Sequence, residues 1–259
     1  MPHISLQAEP LFHIGVLTVT NSLLVSTVAL ILIVIGAMLV RRGLALNVGG
    51  ILQNVAESAI EALLELMESV LGTREEAERY LPLIATIFLF VMTSNWLGLM
   101  PGVGSIFFET GGDHAHAHLL RSPASDLNFT LAIAIVSVIS ANLLGAIKLG
   151  FFAHLGKFFN FSNPVMFFVG ILELVSEFAK MVSFSFRLFG NVFAGEVLLM
   201  IVAFLVGYII PLPFMFLELF VGFVQAFVFA MLTLVFLGLH TTAHDEHEEH
   251  VQGSTLIRN

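Results

Sequence analysis

The chain has 259 residues, of which 58% are hydrophobic and 11% charged, against about 25% charged in soluble domains, so it falls in the membrane class. Its formal net charge of -9 argues against a nucleic-acid partner, which favours a basic surface. The absence of cysteine excludes a disulfide framework, a thiolate metal site and a thiol nucleophile.

Residues 1–13 carry no Lys or Arg, so the basic region of a cleaved signal peptide is missing and the N-terminus is expected to be retained. The charge-free run Ile14–Val40 predicts a first spanning helix over 14–41. Residues 44–72 are different. Glu57, Glu61, Glu65 and Glu68 fall within about 80° of each other on a helix, while Ile60, Leu63, Leu64, Met67 and Leu71 point elsewhere. This is an amphipathic surface helix. Its acidic face gains nothing from anionic lipid, so a partner subunit is the expected contact.

A second helix is predicted over 80–100, ending near Met100-Pro101-Gly102, followed by an outer loop over 101–126. The third spanning helix covers 127–148. Two long helices then cover 164–207 and 212–240, with Gly207, Pro211 and Pro213 turning the chain between them. A cytoplasmic tail takes 241–259. The expected fold is therefore a single all-α membrane domain over 1–259, with about five embedded helices. Short loops place Arg41, Arg42, Arg74, Arg79, Lys148 and Lys157 on one side and leave only Arg121 on the other. By the positive-inside rule the N-terminus is outside and the C-terminus cytoplasmic. The 26 Phe, against one Trp and two Tyr, imply aromatic packing more than an interfacial belt. His114, His116 and His118 in the loop, and the His-rich tail, read as solvated side chains, with no metal or cofactor site.

The penultimate helix carries ionisable groups at membrane depth, where a charge is expensive and needs protein, water or a counter-charge beside it. Glu173, Ser176, Glu177, Lys180, Ser183, Arg187 and Asn191 fall within about 120° on a helix, forming one polar stripe. Arg187 lies roughly 21 Å along the axis from Glu173, and Glu196 roughly 14 Å further on and on another face. A guanidinium stays protonated at any working pH, so Arg187 acts as a fixed charge and never as a proton carrier. The carboxylates and Lys180 are able to exchange protons if their surroundings tune them. In the last helix, Glu218 and Gln225 lie about 20° apart on one face. Glu218 and Glu196 both fall near the outer end, where two facing carboxylates make a proton entry path. Gln225 is deeper, within reach of Arg187 or Asn191. The plainer alternatives are a structurally neutralised arginine, a surface pair of Lys180 with Glu177 or Glu173, worth about 0.3–0.5 kcal/mol if exposed, and an interhelical hydrogen bond from Gln225.

The run Arg187-Leu-Phe-Gly-Asn191-Val-Phe-Ala-Gly-Glu196 resembles the signature of subunit a of F-type ATP synthases. So do Gln225-Ala-Phe-Val-Phe-Ala-Met-Leu-Thr, Phe12-His13-Ile and Thr20-Asn21-Ser22. The resemblance runs from about residue 10 to 240. It implies a non-catalytic, proton-translocating subunit of a bacterial inner membrane, whose last two helices are long and tilted around a ring of c subunits, with peripheral-stalk b subunits and lipid as further neighbours. It implies that Arg187 faces the ring carboxylate and parts two half-channels. Asn191, Glu196, Glu218 and Gln225 match the outer one. Glu173, Ser176, Lys180 and Ser183, with Glu177 on the same stripe, match the inner one. Some members place histidine where this chain has Glu218. The choice of proton or sodium rests with the ring. The competing class is a proton-coupled secondary transporter, against which the lack of an internal repeat weighs.

Overall fold

The computed structural model of the chain describes residues 10–14, 17–42, 50–100, 107–109, 116–118, 121–150, 164–207 and 209–242. Among them five helices are long and apolar enough to cross a membrane. The protein is an all-α membrane protein with one further helix and two short β-ribbons.

The chain enters as a ribbon, not a helix. Strand β1 (Pro10–Ile14) pairs antiparallel with β2 (Leu17–Thr20), with Phe12 opposite Val19 and His13 opposite Thr18. Helix α1 therefore covers Asn21–Arg42, starting seven residues later than the predicted 14. The run Leu17-Thr-Val-Thr20 is rich in β-branched residues, which suit a strand. Thr20 then opens the helix, its hydroxyl accepting from the Leu23 backbone N–H at 3.3 Å.

Helix α2 spans Ile51–Leu71, within the predicted 44–72, whose first residues 44–49 lie outside the described set. It ends at Gly72, whose φ of 84° is the left-handed cap that glycine adopts without a Cβ clash. Leu64, Met67 and Leu71 form its buried seam. Helix α3 runs Arg74–Gly98, so its first turn is charged and lies ahead of the predicted start at 80. Thr73 caps it by accepting from the Glu76 N–H. Arg74 clasps the two helices. Its guanidinium donates two 2.8 Å hydrogen bonds to Glu61 and one of 3.1 Å to Glu78. Part of the acidic face is thus neutralised within the chain itself, where a partner subunit was the expectation.

The predicted outer loop contains a second ribbon, β3 (Phe107–Glu109) with β4 (His116–His118), pairing Glu109 with His116. A single 3-10 turn, Pro123–Ser125, follows. Helix α4 spans Leu127–Leu149; Asp126 caps it by accepting from the Asn128 N–H and also takes a 2.7 Å bond from the Ser22 hydroxyl of α1. Lys148, near its end, pairs with Glu76 of α3. The long helices are α5 (Pro164–Val206) and α6 (Pro211–Thr242). The 43 residues of α5 measure about 65 Å, twice the hydrocarbon thickness of about 30 Å, so it cannot lie along the membrane normal within that layer. Lys157 and the 243–259 tail lie outside the described residues.

Two apolar clusters hold the bundle. One joins α2 and α3 to α6 through Met67, Tyr80, Ile84, Ala230 and Leu234. The other joins α3, α4, α5 and α6 through Val91, Ala134, Phe184, Leu188, Ala226 and Phe229. Helix α6 is shared by both and forms the axis of the packing. Helix α5 buries a narrow strip, Gly170, Glu177, Phe184, Ser185, Leu188, Val192 and Gly195. Phe167, Leu174, Phe178, Phe186 and Leu205 stay exposed on its other sides.

The Arg74 clasp is pH-dependent with a defined sign. The hydrogen bonds from Arg74 are the main cause holding the Glu61 carboxyl below its ordinary value of 4.5. Its support is therefore full above that value and is lost as the pH falls through the lower folded value. A spin label at Ser58 is expected to gain mobility on acidification through this range in detergent. Glu61→Gln should remove this pH dependence; an unchanged transition would show that Glu61 is not its source.

Candidate functional site

The arginine sits on the flank of α5, beside the buried strip. Arg187 precedes the fully buried Leu188 and so turns about 100° away from the packed face. It is exposed, and its guanidinium lies 5.9 Å from the Phe184 ring centroid. Among the described residues it forms no ion pair. Its exposed neighbours along the same face within two turns, Ser183, Gly190, Asn191 and Ala194, are short. A neutralised structural arginine would have an anion within its own chain, and the described residues supply none.

The polar stripe drawn from helical spacing divides in three dimensions. Ser176, Ser183 and Arg187 face outward, while Glu177 turns into the bundle and is only 5% exposed. Lys180 donates to Glu177 at 2.6 Å, and Asn142 of α4 donates to the other carboxylate oxygen at 3.0 Å. The Lys180 ammonium also sits 4.8 Å from the Phe236 ring centroid of α6. This corrects the picture of an exposed surface pair: a buried carboxylate needs its charge and lone pairs matched, and the match here binds α4, α5 and α6 together. Glu173 remains half-buried one turn earlier.

Beyond Arg187, the groups expected on the outer side gather where α5 meets α6. The Asn191 amide donates to the Gln225 side-chain oxygen at 2.7 Å. Gln225 is buried, so of its two expected partners it takes Asn191. Glu218 rests its carboxyl directly against Gly195, where any Cβ would overlap it. Glu196 does not share that contact. Its Oε2 lies 3.9 Å from Nε of Arg121, in the segment leading to the 3-10 turn. The two outer carboxylates thus have different neighbours: Glu218 a glycine backbone, Glu196 a guanidinium.

Several participants were not singled out from the sequence. Arg121 is 8% exposed and held by Ser125. Its signal was visible, because it is the one Lys or Arg assigned to its side. On α3, Asn95 donates to the Gly222 carbonyl of α6 at 3.0 Å, and Trp96 to the Leu219 carbonyl at 3.2 Å. Ser94 and Asn95 were legible as an adjacent polar pair in an apolar helix. Buried polar atoms without a protein hydrogen bond include Ser94 Oγ, Asn95 Oδ1, Ser122 Oγ, Glu196 Oε2 and Gln225 Nε2. Such atoms call for water or a mobile partner. Among the described residues no group of three or more His, Asp or Glu is arranged for a metal ion.

The sequence model of the family described as ATP synthase A chain matches residues 23–238. Proteins named ATP synthase subunit a are similar across nearly the whole chain. The one from Campylobacter jejuni is 35% identical over 239 residues, 91% of each chain. That from Moorella thermoacetica is 31% identical over 234 residues, 90% of this chain and 96% of its own. That from Gloeobacter violaceus is 33% identical over 238 residues, 91% and 90%.

The Gly195 contact separates two kinds of substitution. The three atoms nearest a Cβ there are the carboxyl end of the Glu218 side chain, and alanine gains about 1 kcal/mol of helix propensity over glycine. Gly195→Ala should therefore unfold in detergent within about 1 kcal/mol of the parent, with the Glu218 carboxyl displaced. Gly195→Leu should lose about 1–3 kcal/mol by overpacking. Equal thermal stability of the two variants would refute the close approach.

Proposed function

Since this chain belongs to the ATP synthase subunit a family, we propose that it is the stationary proton-channel subunit whose two offset half-channels load and unload carboxylates on a ring of c subunits. It is a multi-pass membrane protein and not an enzyme by itself. The observation that carries the reading is the exposed, anion-free guanidinium of Arg187 on an apolar helix. An embedded charge without a partner among the described residues calls for one from outside. The short side chains around it permit the close approach of another helix.

The mechanism follows from charge. A ring carboxylate must be neutral to face lipid, because an ionised group there is expensive. Opposite Arg187 it is favoured as the anion and gives its proton to the inner path, for which Glu173, Ser176, Lys180 and Ser183 are the candidates. On the other side it is reprotonated through the outer path of Glu218, Glu196, Asn191 and Gln225. The permanent charge of Arg187 bars a cation from crossing directly. Each charge moved through 100 mV supplies about 2.3 kcal/mol, which the offset of the paths turns into rotation. Glu177 enters this reading as an anchor that aims Lys180 and not as an open relay, given its burial and its two partners.

The lysine and arginine distribution supports a cytoplasmic C-terminus and an outer N-terminus in a bacterial inner membrane. The exposed acidic and apolar sides of α2 suit the b subunits of the stalk. A secondary transporter would carry out transport as an isolated chain. Co-purification of a c ring, and no proton conduction without it, separates the two.

Arg187→Ala is expected to abolish proton-driven ATP synthesis in inverted vesicles while the complex still assembles; wild-type coupling would sink the assignment. Glu196→Gln should slow proton entry with the fold intact. Passive proton flux equal to the parent's, measured after removal of the soluble sector, would count against Glu196.

A further inference from the structure

The segment before α4 places a second buried arginine beside the outer path. Arg121 is 8% exposed, and its Nε donates to the Ser125 hydroxyl at 3.0 Å while Nη2 reaches the Ser125 carbonyl at 3.4 Å. Ser125 is itself fully buried, and its hydroxyl donates onward to the Ser122 carbonyl at 2.9 Å. The 3-10 turn that holds these groups packs against α1, α3, α4 and α5. The guanidinium is therefore mounted on a fixed point where four helices meet. A buried arginine is kept only where its charge is matched, and among the described residues a carboxylate it approaches is Glu196, at 3.9 Å.

That distance decides what the contact does. At 3.9 Å the pair is within ion-pair range but too long for a hydrogen bond. Glu196 Oε2 is buried and makes no hydrogen bond among the described residues. The carboxylate is held by attraction and takes no hydrogen bond from the guanidinium. Among the described residues the other charged groups at this end are Glu218 of α6, against Gly195, and Asp126, which is engaged by Ser22 and the Asn128 N–H. Helix α3 contributes only uncharged Ser94 and Asn95 here.

We propose that Arg121 is a positioning residue of the outer proton path, anchoring the Glu196 carboxylate by charge without donating a hydrogen bond to it. The two carboxylates then differ in setting: Glu196 is held beside a cation, and Glu218 packs against Gly195 with no cation beside it among the described residues. The inference rests on the reading of Glu196 as part of that path.

The test uses the assembled synthase in inverted vesicles, with proton-driven ATP synthesis as the readout and ATP hydrolysis as a check on assembly. Arg121→Gln should lower synthesis about tenfold, the scale of one coupled charged contact. Arg121→Lys, which keeps the charge but not the fork, should restore most of the rate. Arg121→Gln combined with Glu196→Gln should be no worse than Glu196→Gln alone. If Arg121→Gln does not assemble, Ser125→Ala loosens the mount while keeping the charge, and its loss should likewise vanish in the Glu196→Gln background. Parental synthesis in Arg121→Gln, or losses that multiply in the double variant, overturn the inference while leaving Glu196 in the path. Parental synthesis in Glu196→Gln overturns both.

Discussion

A guanidinium cannot give up its proton to escape an apolar environment. Lys180 or a buried glutamate is able to neutralise itself when solvation fails, but Arg187 is charged whatever surrounds it. It must therefore be solvated or paired, and the described residues offer it no carboxylate. Much of the remaining structure is consistent with this single demand. The face around Arg187 is built from serine, glycine, asparagine and alanine, short enough for another surface to reach the charge. The adjoining face of α5 packs through Phe184, Leu188 and Val192 into the core and so fixes which way the arginine points.

Charge pairing elsewhere obeys the same rule with the opposite result. Glu177 is deep, and the fold gives it an ammonium and an amide from two directions. Arg121 is equally deep and is met by Ser125 and Glu196. Arg74 is exposed, so its three carboxylate neighbours act mainly to join α2 to α3. The buried pairs also tie helices together: Glu177 links α4 to α5, and Arg121 links the 3-10 turn to α5. Helix α5 is thus held at two levels that flank Arg187, which suits a helix expected to stand still while its neighbour moves.

The membrane class, the approximate positions of five apolar helices, the acidic side of α2 and the place of Arg187 within a long apolar helix were all legible in the sequence. Each depends on composition or on spacing along one segment, and the relevant physics is local: hydrocarbon thickness, helical pitch and the permanence of a guanidinium charge. The 14–41 prediction missed the β1–β2 ribbon because hydropathy treats Leu17-Thr-Val-Thr20 and a helical segment alike. The start of α3 was set too late because its first turn, Arg74 to Arg79, is charged and lies before the apolar run.

Tertiary structure decided which members of the polar stripe belong together. Helical angles place Glu177 within one stripe with Arg187, yet a difference of about 80° separates a buried position from an exposed one once α5 docks. No single-segment pattern tells that Asn191 meets Gln225, that Glu218 needs Gly195, or that Glu196 turns toward Arg121, some seventy-five residues earlier in the chain. Those contacts depend on how far α5 and α6 slide past each other and on where the 3-10 turn is wedged. The sequence by itself determined that a permanent charge sits within a long apolar helix; only the packing determined which side of it is exposed and which groups stand at its flanks.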